Sequence, residues 1–279
     1  MGMNIRILTH SGVAHLDEVF AIAAIIIAKG YDLSNVDVVR TFDVEEASKG
    51  YDYVVDFGGE YDGISRFDHH QGGDDVHGKS SFGLVVESME ELSSLRGNAF
   101  VERVDFQDNN GPKATIAKYL GSDASLGQWF DSFELLEQMM LSEFSGGDIK
   151  FALTMATKVI SNELEKAQAK AEAESNMESA EVINVNGLTV LICDFDVVSN
   201  PKYFTIGNAV TGAKAVEVGA ELILGKGRDP SQYSLVRTKQ GEYLDLSVLE
   251  GRVPFAHKGG FFAALSRDED WKAIVELLA

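Results

Sequence analysis

Residues 4–30 read NIRILTHSGVAHLDEVFAIAAIIIAKG. A short β-prone run, residues 4–8, leads into a polar loop holding His10, His15 and Asp17, and an apolar run of helical length then closes at Gly30. The alternation continues. Residues 36–40 and 51–55 read as further strands, separated by a polar stretch, 43–49, that suits a short helix. Strand, helix and strand in this order predict an α/β fold with a doubly wound, mostly parallel sheet. In such sheets, ligands gather beyond the carboxyl ends of the strands.

The chain has 279 residues, of which 45% are hydrophobic, enough to bury a substantial core and to favour two domains over one. From Trp129 to about Ser161 the pattern is helical. Between Asn162 and Glu181 it turns rich in Ala, Glu and Lys, with six glutamates against two lysines, which suits an exposed helical connector. Strand signals then return, with Asn186-Gly187 between two apolar runs as a hairpin signal. The expected organisation is a first α/β domain over 1–165, a connector over 166–180 and a smaller α/β domain over 181–279.

A formal net charge of −20 argues against a general surface that coats nucleic acid or anionic lipid. Residues 222–260 differ, with six basic side chains against four acidic, so an anionic substrate could be received there. The longest apolar run, residues 19–28, is too short to span a bilayer, and it follows Asp17 and Glu18, whereas a signal peptide starts positively charged. No membrane partner is expected, the cytoplasm is the default compartment, and the sequence carries no signal for oligomeric state. The single cysteine, Cys193, sits in an apolar run and reads as a packed strand residue.

Three expected strands end in residues able to bind metal. The first delivers His10, with His15 and Asp17 beyond it; the run 53–55 delivers Asp56; and Arg66-Phe67 delivers Asp68, His69 and His70. A fourth segment, 104–111, supplies Asp105 and Asp108 ahead of a glycine turn. Singly, each has an ordinary explanation: His10 as a hydrogen-bonded strand-end histidine, Asp17 as a helix N-cap, Asp56 as a turn former. His77, in a Gly- and Asp-rich loop, reads as solvated. Their joint arrival at successive strand ends favours a site. Imidazoles and carboxylates without a thiolate suit Mn²⁺, Co²⁺ or Fe²⁺ better than a closed structural zinc site, and there are enough donors for two ions. Paired ions with a bridging carboxylate are typical of phosphoester hydrolysis.

The order His10-x4-His15-x-Asp17, Val54-Val55-Asp56-x-Gly58-Gly59-x-Tyr61-Asp62, Arg66-Phe67-Asp68-His69-His70-Gln71, Ser80-Ser81-x-Gly83-Leu84-Val85 and Asp105-x-x-Asp108-Asn109 resembles the DHH phosphoesterase superfamily. More narrowly it resembles the Myg branch, the melanocyte proliferating gene family, whose members are known or predicted metal-dependent 3′–5′ exonucleases. The resemblance covers roughly residues 5–111. It implies one ion held by His10, His15 and Asp56, and a second held by Asp17, Asp56, His69 and Asp108, with Asp105 as a rival to Asp108. It further implies that His70 faces the substrate phosphate as a hydrogen-bond or proton donor and that Asp68 orients a neighbouring imidazole. His15 stands where many superfamily members have aspartate and agrees with the Myg branch.

A weaker similarity joins residues 232–238 and 255–264 to the DHH-associated substrate-binding domain. It implies that Arg237, His257, Lys258, Gly259 and Gly260 grip a phosphate or chain end. Together these readings imply a hydrolase with two divalent ions, Mn²⁺ preferred and Mg²⁺ or Co²⁺ as alternatives, that shortens short or single-stranded nucleic acid. The alternatives are a small-molecule phosphatase or pyrophosphatase, a dinucleotide phosphodiesterase, or a non-catalytic nucleotide-binding protein.

Overall fold

The computed structural model describes residues 4–73, 76–121 and 135–279. The chain divides into two compact units, Met1–Ala167 and Gln168–Ala279. Each contains a β-sheet covered by helices, so the fold is α/β, as the strand–helix alternation leads one to expect.

The first unit is organised around β1 (Ile5–His10), whose Ile5, Ile7 and Leu8 are buried. Strands β2 (Val36–Thr41), β3 (Tyr53–Val55) and β4 (Arg66–Phe67) complete a four-stranded sheet in the order β2-β1-β3-β4, with every pairing parallel. The chain runs from β1 to one neighbour, β2, and then crosses to β3 on the other side. The strand order therefore reverses between β1 and β3, the place where an open parallel sheet leaves a crevice beyond its carboxyl ends. His10 ends β1 and Asp56 directly follows β3.

Helix α1 (Leu16–Lys29) is apolar on nearly all sides because it is buried from Leu16 to Ile26. It ends at Gly30, whose φ of 63° is the left-handed conformation that glycine adopts cheaply, with the Tyr31 N–H returning to the Ile26 carbonyl. Helices α2 (Ser81–Ser88) and α3 (Ala99–Tyr119) pack on α1. Helix α3 is broken at Gly111 (φ 76°, ψ 169°), just ahead of Pro112. Val101 and Val104 bury its first half in the core. That packing holds Asp105 and Asp108 one turn apart on the first half of the helix, ahead of the break at Gly111. Helix α4 (Leu135–Gly146) adds Met140 and Phe144 to the same core. The part of the expected helical pattern over 129–134 lies outside the described residues.

Helix α5 (Ile149–Asn176) continues through the stretch whose composition suggests a connector. Its residues from Gln168 onward belong to the second unit, where Ala169, Ala173 and the following Met177 are buried. The second unit holds a six-stranded mixed sheet of β5 (Glu181–Val185), β6 (Leu188–Cys193), β7 (Leu222–Lys226), β8 (Gln232–Arg237), β9 (Phe255–Ala256) and β10 (Phe262–Ser266), ordered β5-β6-β7-β8-β10-β9. Asn186 and Gly187, both with positive φ, join β5 to β6 in an antiparallel hairpin. Helices α6 (Phe204–Glu217) and α7 (Trp271–Glu276) complete this unit. Cys193 is buried in it as an unpaired thiol, and burial pushes its pKa up to about 11, so it is a packed residue. Among the described residues, no helix is long and apolar enough to cross a membrane.

Candidate metal centre

The crevice between β1 and β3 gathers charge that the protein interior cannot hold by itself. Asp17 and Glu18 have no exposed surface, and Asp56 and Asp68 retain only 3% and 2%. Burial, reinforced by the neighbouring Asp56, Asp108 and Glu18 carboxylates, raises the Asp17 pKa well above the usual range. Burial also raises Glu18, partly offset by His10. Asp56 is pushed down instead, because His10 and His69 beside it outweigh its burial.

The histidines answer in kind. Asp56 first, then Glu18, push the His10 pKa up to about 11 against the cost of burial. His69 reaches about 10, since Asp108 and Asp56 overcome its burial. His10 Nε2 lies 3.2 Å from Glu18 Oε1 and 3.3 Å from Asp56 Oδ2. His69 Nε2 lies 3.0 Å from Asp108 Oδ2 and 3.4 Å from Asp56 Oδ1. The His10 Nδ1 is 2.9 Å from the Ser11 carbonyl oxygen, which can only accept; this places the ring proton on Nδ1 and leaves Nε2 aimed into the site.

These close approaches do not satisfy the groups. Among the described residues, seven buried side-chain polar atoms lack an aligned hydrogen-bond partner, and six of them belong to Thr9, His10, Asp17, Glu18, His69 and Asp108. Buried polar groups are normally paired, so a concentration of unpaired ones in one crevice points to a missing partner. Their 3.0–3.4 Å separations resemble those of donors around a shared cation, because donors about 2.0–2.2 Å from an ion and roughly at right angles lie about 3 Å apart. Three groups have donor atoms mutually within 4.8 Å: His10, His15, Glu18 and Asp56; Asp56, His69 and His70; and His15, Asp17 and Asp108. Imidazole and carboxylate donors without sulfur fit divalent ions such as Mn²⁺, Mg²⁺ or Co²⁺.

Neighbouring residues fix the donors. Asp56 adopts φ 52°, a strained value for a non-glycine residue and one found at functional sites. The Ser81 hydroxyl donates to Asp56 Oδ1 at 3.1 Å, and the Ser81 N–H donates to Asp17 Oδ2 at 3.3 Å. The positive end of α2 thus faces both carboxylates. Arg40 clamps the β1–α1 loop by donating to the His10 and Gly12 carbonyls while also donating to those of Phe144 and Ser145.

The other first-unit candidates separate into distinct environments. His70 is 63% exposed at its side chain, and its Nδ1 lies 2.7 Å from Asp68 Oδ1. The buried Asp68 also accepts from the backbone N–H groups of Gly59 and His70. Asp105 accepts from both Ser80 N–H and Ser80 Oγ–H, at 2.9 and 2.7 Å, and its oxygens fill the space beside Gly83. Asp108, one turn later, is the carboxylate beside His69. His77 is exposed. Glu18, Ser81 and Arg40 were not among the sequence candidates; the available clue was Glu18 at the N3 position of a helix led by His15.

Similarity to known proteins points toward one family. Residues 6–91 match the MYG1_exonuc model, described as an uncharacterised protein family (UPF0160). Those residues resemble the MYG1 family. The MYG1 protein of Chlamydia muridarum is 38% identical over 110 residues, covering 36% of this chain and 36% of that protein. The MYG1 protein of Schizosaccharomyces pombe is 42% identical over 67 residues, or 24% of this chain and 20% of the relative. The MYG1 exonuclease of Mus musculus is 46% identical over 67 residues, or 24% and 17%. The chain therefore spans about a third or less of the length of these MYG1 relatives. The MYG1 match includes His10, His15, Asp17, Asp56, Asp68, His69 and His70 but ends before Asp105 and Asp108.

The candidates of the second unit lie outside that match. The Arg237 guanidinium donates to the Leu244 carbonyl. His257 Nδ1 accepts from Gly259 N–H, and the turn over 257–260 closes through Gly260, whose φ is 67°. Lys258 is exposed. A cavity of about 1060 Å³ lies on one face of the second sheet, lined by Ser234, Val236, Phe255, Phe261 and Lys226 among others. By strand alternation Arg237 shares the opposite face with the buried Leu235. Lys226, from the basic stretch, is paired with Asp196.

Proposed function

We propose that the first unit is the catalytic part of a metal-dependent phosphodiesterase that removes nucleotides from short or single-stranded nucleic acid, with 3′–5′ polarity. The observation that carries this reading is the division of Asp56: its two oxygens face different histidines, an arrangement suited to bridging two ions. His10, His15 and Asp56 would hold one ion, and Asp17, Asp56, His69 and Asp108 the other. When bound, such ions lower the pKa of an attacking water and neutralise charge on the phosphoryl oxygens and the departing oxygen.

The protein's own residues do the rest. Asp17, Asp56 and Asp108 supply the negative charge that retains the ions, while Ser81 and the α2 N-terminus hold two of these carboxylates in place. Asp68 fixes the His70 ring, which stays exposed enough to meet a substrate phosphate and give a proton to the leaving oxygen. Val13 and Phe42, each 76% exposed, lie on or beside the loop carrying His10 and His15, with the Phe42 ring against Gly12. They provide apolar surface on which a base can stack. The name of the mouse relative, an exonuclease, supports nucleic acid as the substrate class. Arg237, His257, Lys258, Gly259 and Gly260 are proposed as phosphate-gripping residues of the second unit. The strongly acidic chain favours short substrates over long duplexes.

The test is purified protein with Mn²⁺ and a panel of end-labelled RNA and DNA oligomers, dinucleotides and pyrophosphate. Progressive shortening of single-stranded oligomers from the 3′ end is expected. Failure to hydrolyse any oligomer with Mn²⁺, Mg²⁺ or Co²⁺ would overturn the proposal.

A further inference from the structure

Glu18 has an immediate local explanation, since its Oε2 accepts from the His15 N–H at 2.7 Å and caps the start of α1. That role uses one oxygen and does not require burial. Yet Glu18 has no exposed surface, and its Oε1 has no aligned hydrogen-bond partner. The closest cationic groups are the His10 Nε2 at 3.2 Å and the Arg40 guanidinium at 4.0 Å. The guanidinium is engaged by four backbone carbonyls, of His10, Gly12, Phe144 and Ser145. A buried carboxylate oxygen in this position is costly unless something else meets it.

We propose that Glu18 Oε1 is a direct ligand of the ion shared by His10 and Asp56. Three observations converge on this assignment. The Oε1–Nε2 separation of 3.2 Å matches the 3.3 Å between that same nitrogen and Asp56 Oδ2, as neighbouring donors on one ion require. The Ser11 carbonyl fixes His10 so that Nε2 faces both carboxylates. Donor atoms of His10, His15, Glu18 and Asp56 fall within 4.8 Å of one another. Without Glu18, the first ion would meet two imidazoles and one oxygen of a shared carboxylate. With it, the site gains a full negative charge and a harder donor set, which favours Mn²⁺ or Mg²⁺ over Zn²⁺. The N-cap bond then has a second consequence: it positions the ligand oxygen by tethering its twin.

This inference rests on the two-ion reading above, and its test separates the two. Glu18→Gln keeps an oxygen able to accept from the His15 N–H but removes the charge. Equilibrium dialysis against Mn²⁺ with metal analysis should give two ions per wild-type chain. In Glu18→Gln, one ion should bind at least about tenfold more weakly while the other is unchanged. The metal-free variant should melt at or above the wild-type temperature, and its rise in melting temperature on adding Mn²⁺ should shrink. If Glu18→Gln binds both ions with wild-type affinity and shows the same Mn²⁺-induced shift, Glu18 is only a helix cap and the inference is wrong. Should that variant fail to fold, Glu18→Asp, which withdraws the oxygen by one methylene, must weaken the same ion; unchanged binding there overturns the inference equally. A wild-type protein that binds no Mn²⁺ would contradict both readings.

Discussion

The two oxygens of Asp56 face different histidines, Oδ2 lying 3.3 Å from His10 Nε2 and Oδ1 lying 3.4 Å from His69 Nε2. No other described carboxylate touches both rings. Replacing Asp56 with asparagine keeps the shape while removing charge from both halves of the centre. Turnover should fall by more than about 100-fold, beyond the effect typical of residues that only support a ligand. The metal-free variant should keep the wild-type circular dichroism spectrum. Turnover within a few-fold of wild type would contradict the proposed bridging role of Asp56.

Asp105 and Asp108 should respond oppositely to substitution. Asp105→Ala leaves Ser80 N–H and Oγ without their acceptor and should cost about 3 kcal/mol in urea unfolding, with ion binding retained. Asp108→Asn should alter metal-free stability by less than about 1 kcal/mol yet weaken ion binding. If instead Asp105→Ala loses an ion without losing stability, the two roles have been exchanged.

Gly83 reports on the same packing from the other side. A Cβ there would clash with Asp105 Oδ1, so Gly83→Ala must displace either that carboxylate or α2. An overpacking loss of about 1–3 kcal/mol is expected. A variant as stable as wild type would show that Asp105 has room to move.

The Asp68–His70 pair predicts a change in rate rather than in metal content. Asp68→Asn should lower turnover by roughly 10–100-fold, because the His70 ring loses the partner 2.7 Å away that orients it. Two ions should still bind. Turnover within a few-fold of wild type would mean that Asp68 does not position His70 for the reaction.

Asp62 provides a pH test away from the centre. Backbone N–H groups of Ile64, Ser65 and Arg66 converge on its Oδ1. These bonds outweigh burial and lower its pKa from 3.8 to about 2. A carboxyl with a depressed pKa stabilises the fold fully above its unfolded value and loses that contribution as pH falls toward the folded one. The stability gap between wild type and Asp62→Ala should therefore be constant from pH 7 to about 5 and narrow between 3.8 and about 2. Chemical unfolding across this range measures it, and a gap that widens on acidification would contradict the assignment.

The first sheet was readable from sequence because its strands are apolar and its chemistry-bearing residues sit at their ends. His10 and Asp56 could thus be placed on one crevice from alternation alone. Residues 104–111 left their local structure open because Asp, Asn and Gly favour turns, whereas Val101 and Val104 draw the segment into a helix up to Gly111 through packing on α1 and α2. Which aspartate of that helix faces His69 depends on rotation about the helix axis, and sequence does not display it. Glu18 was hidden by a sufficient explanation: a carboxylate near the positive end of a helix is favourable there and needs no other role. Arg237 shows the corresponding limit for strands, since its face is set by parity with Leu235 once the register is fixed.

The most direct test of the two-ion centre is electron paramagnetic resonance of the wild-type protein titrated with Mn²⁺. Ions held about 3.5–4 Å apart by one carboxylate are magnetically coupled. The account predicts that the hyperfine pattern of isolated Mn²⁺ gives way to a coupled spectrum as the second equivalent binds, and that Asp56→Asn abolishes the coupling. Saturation at a single equivalent, or two equivalents that retain the isolated-ion pattern, would contradict it.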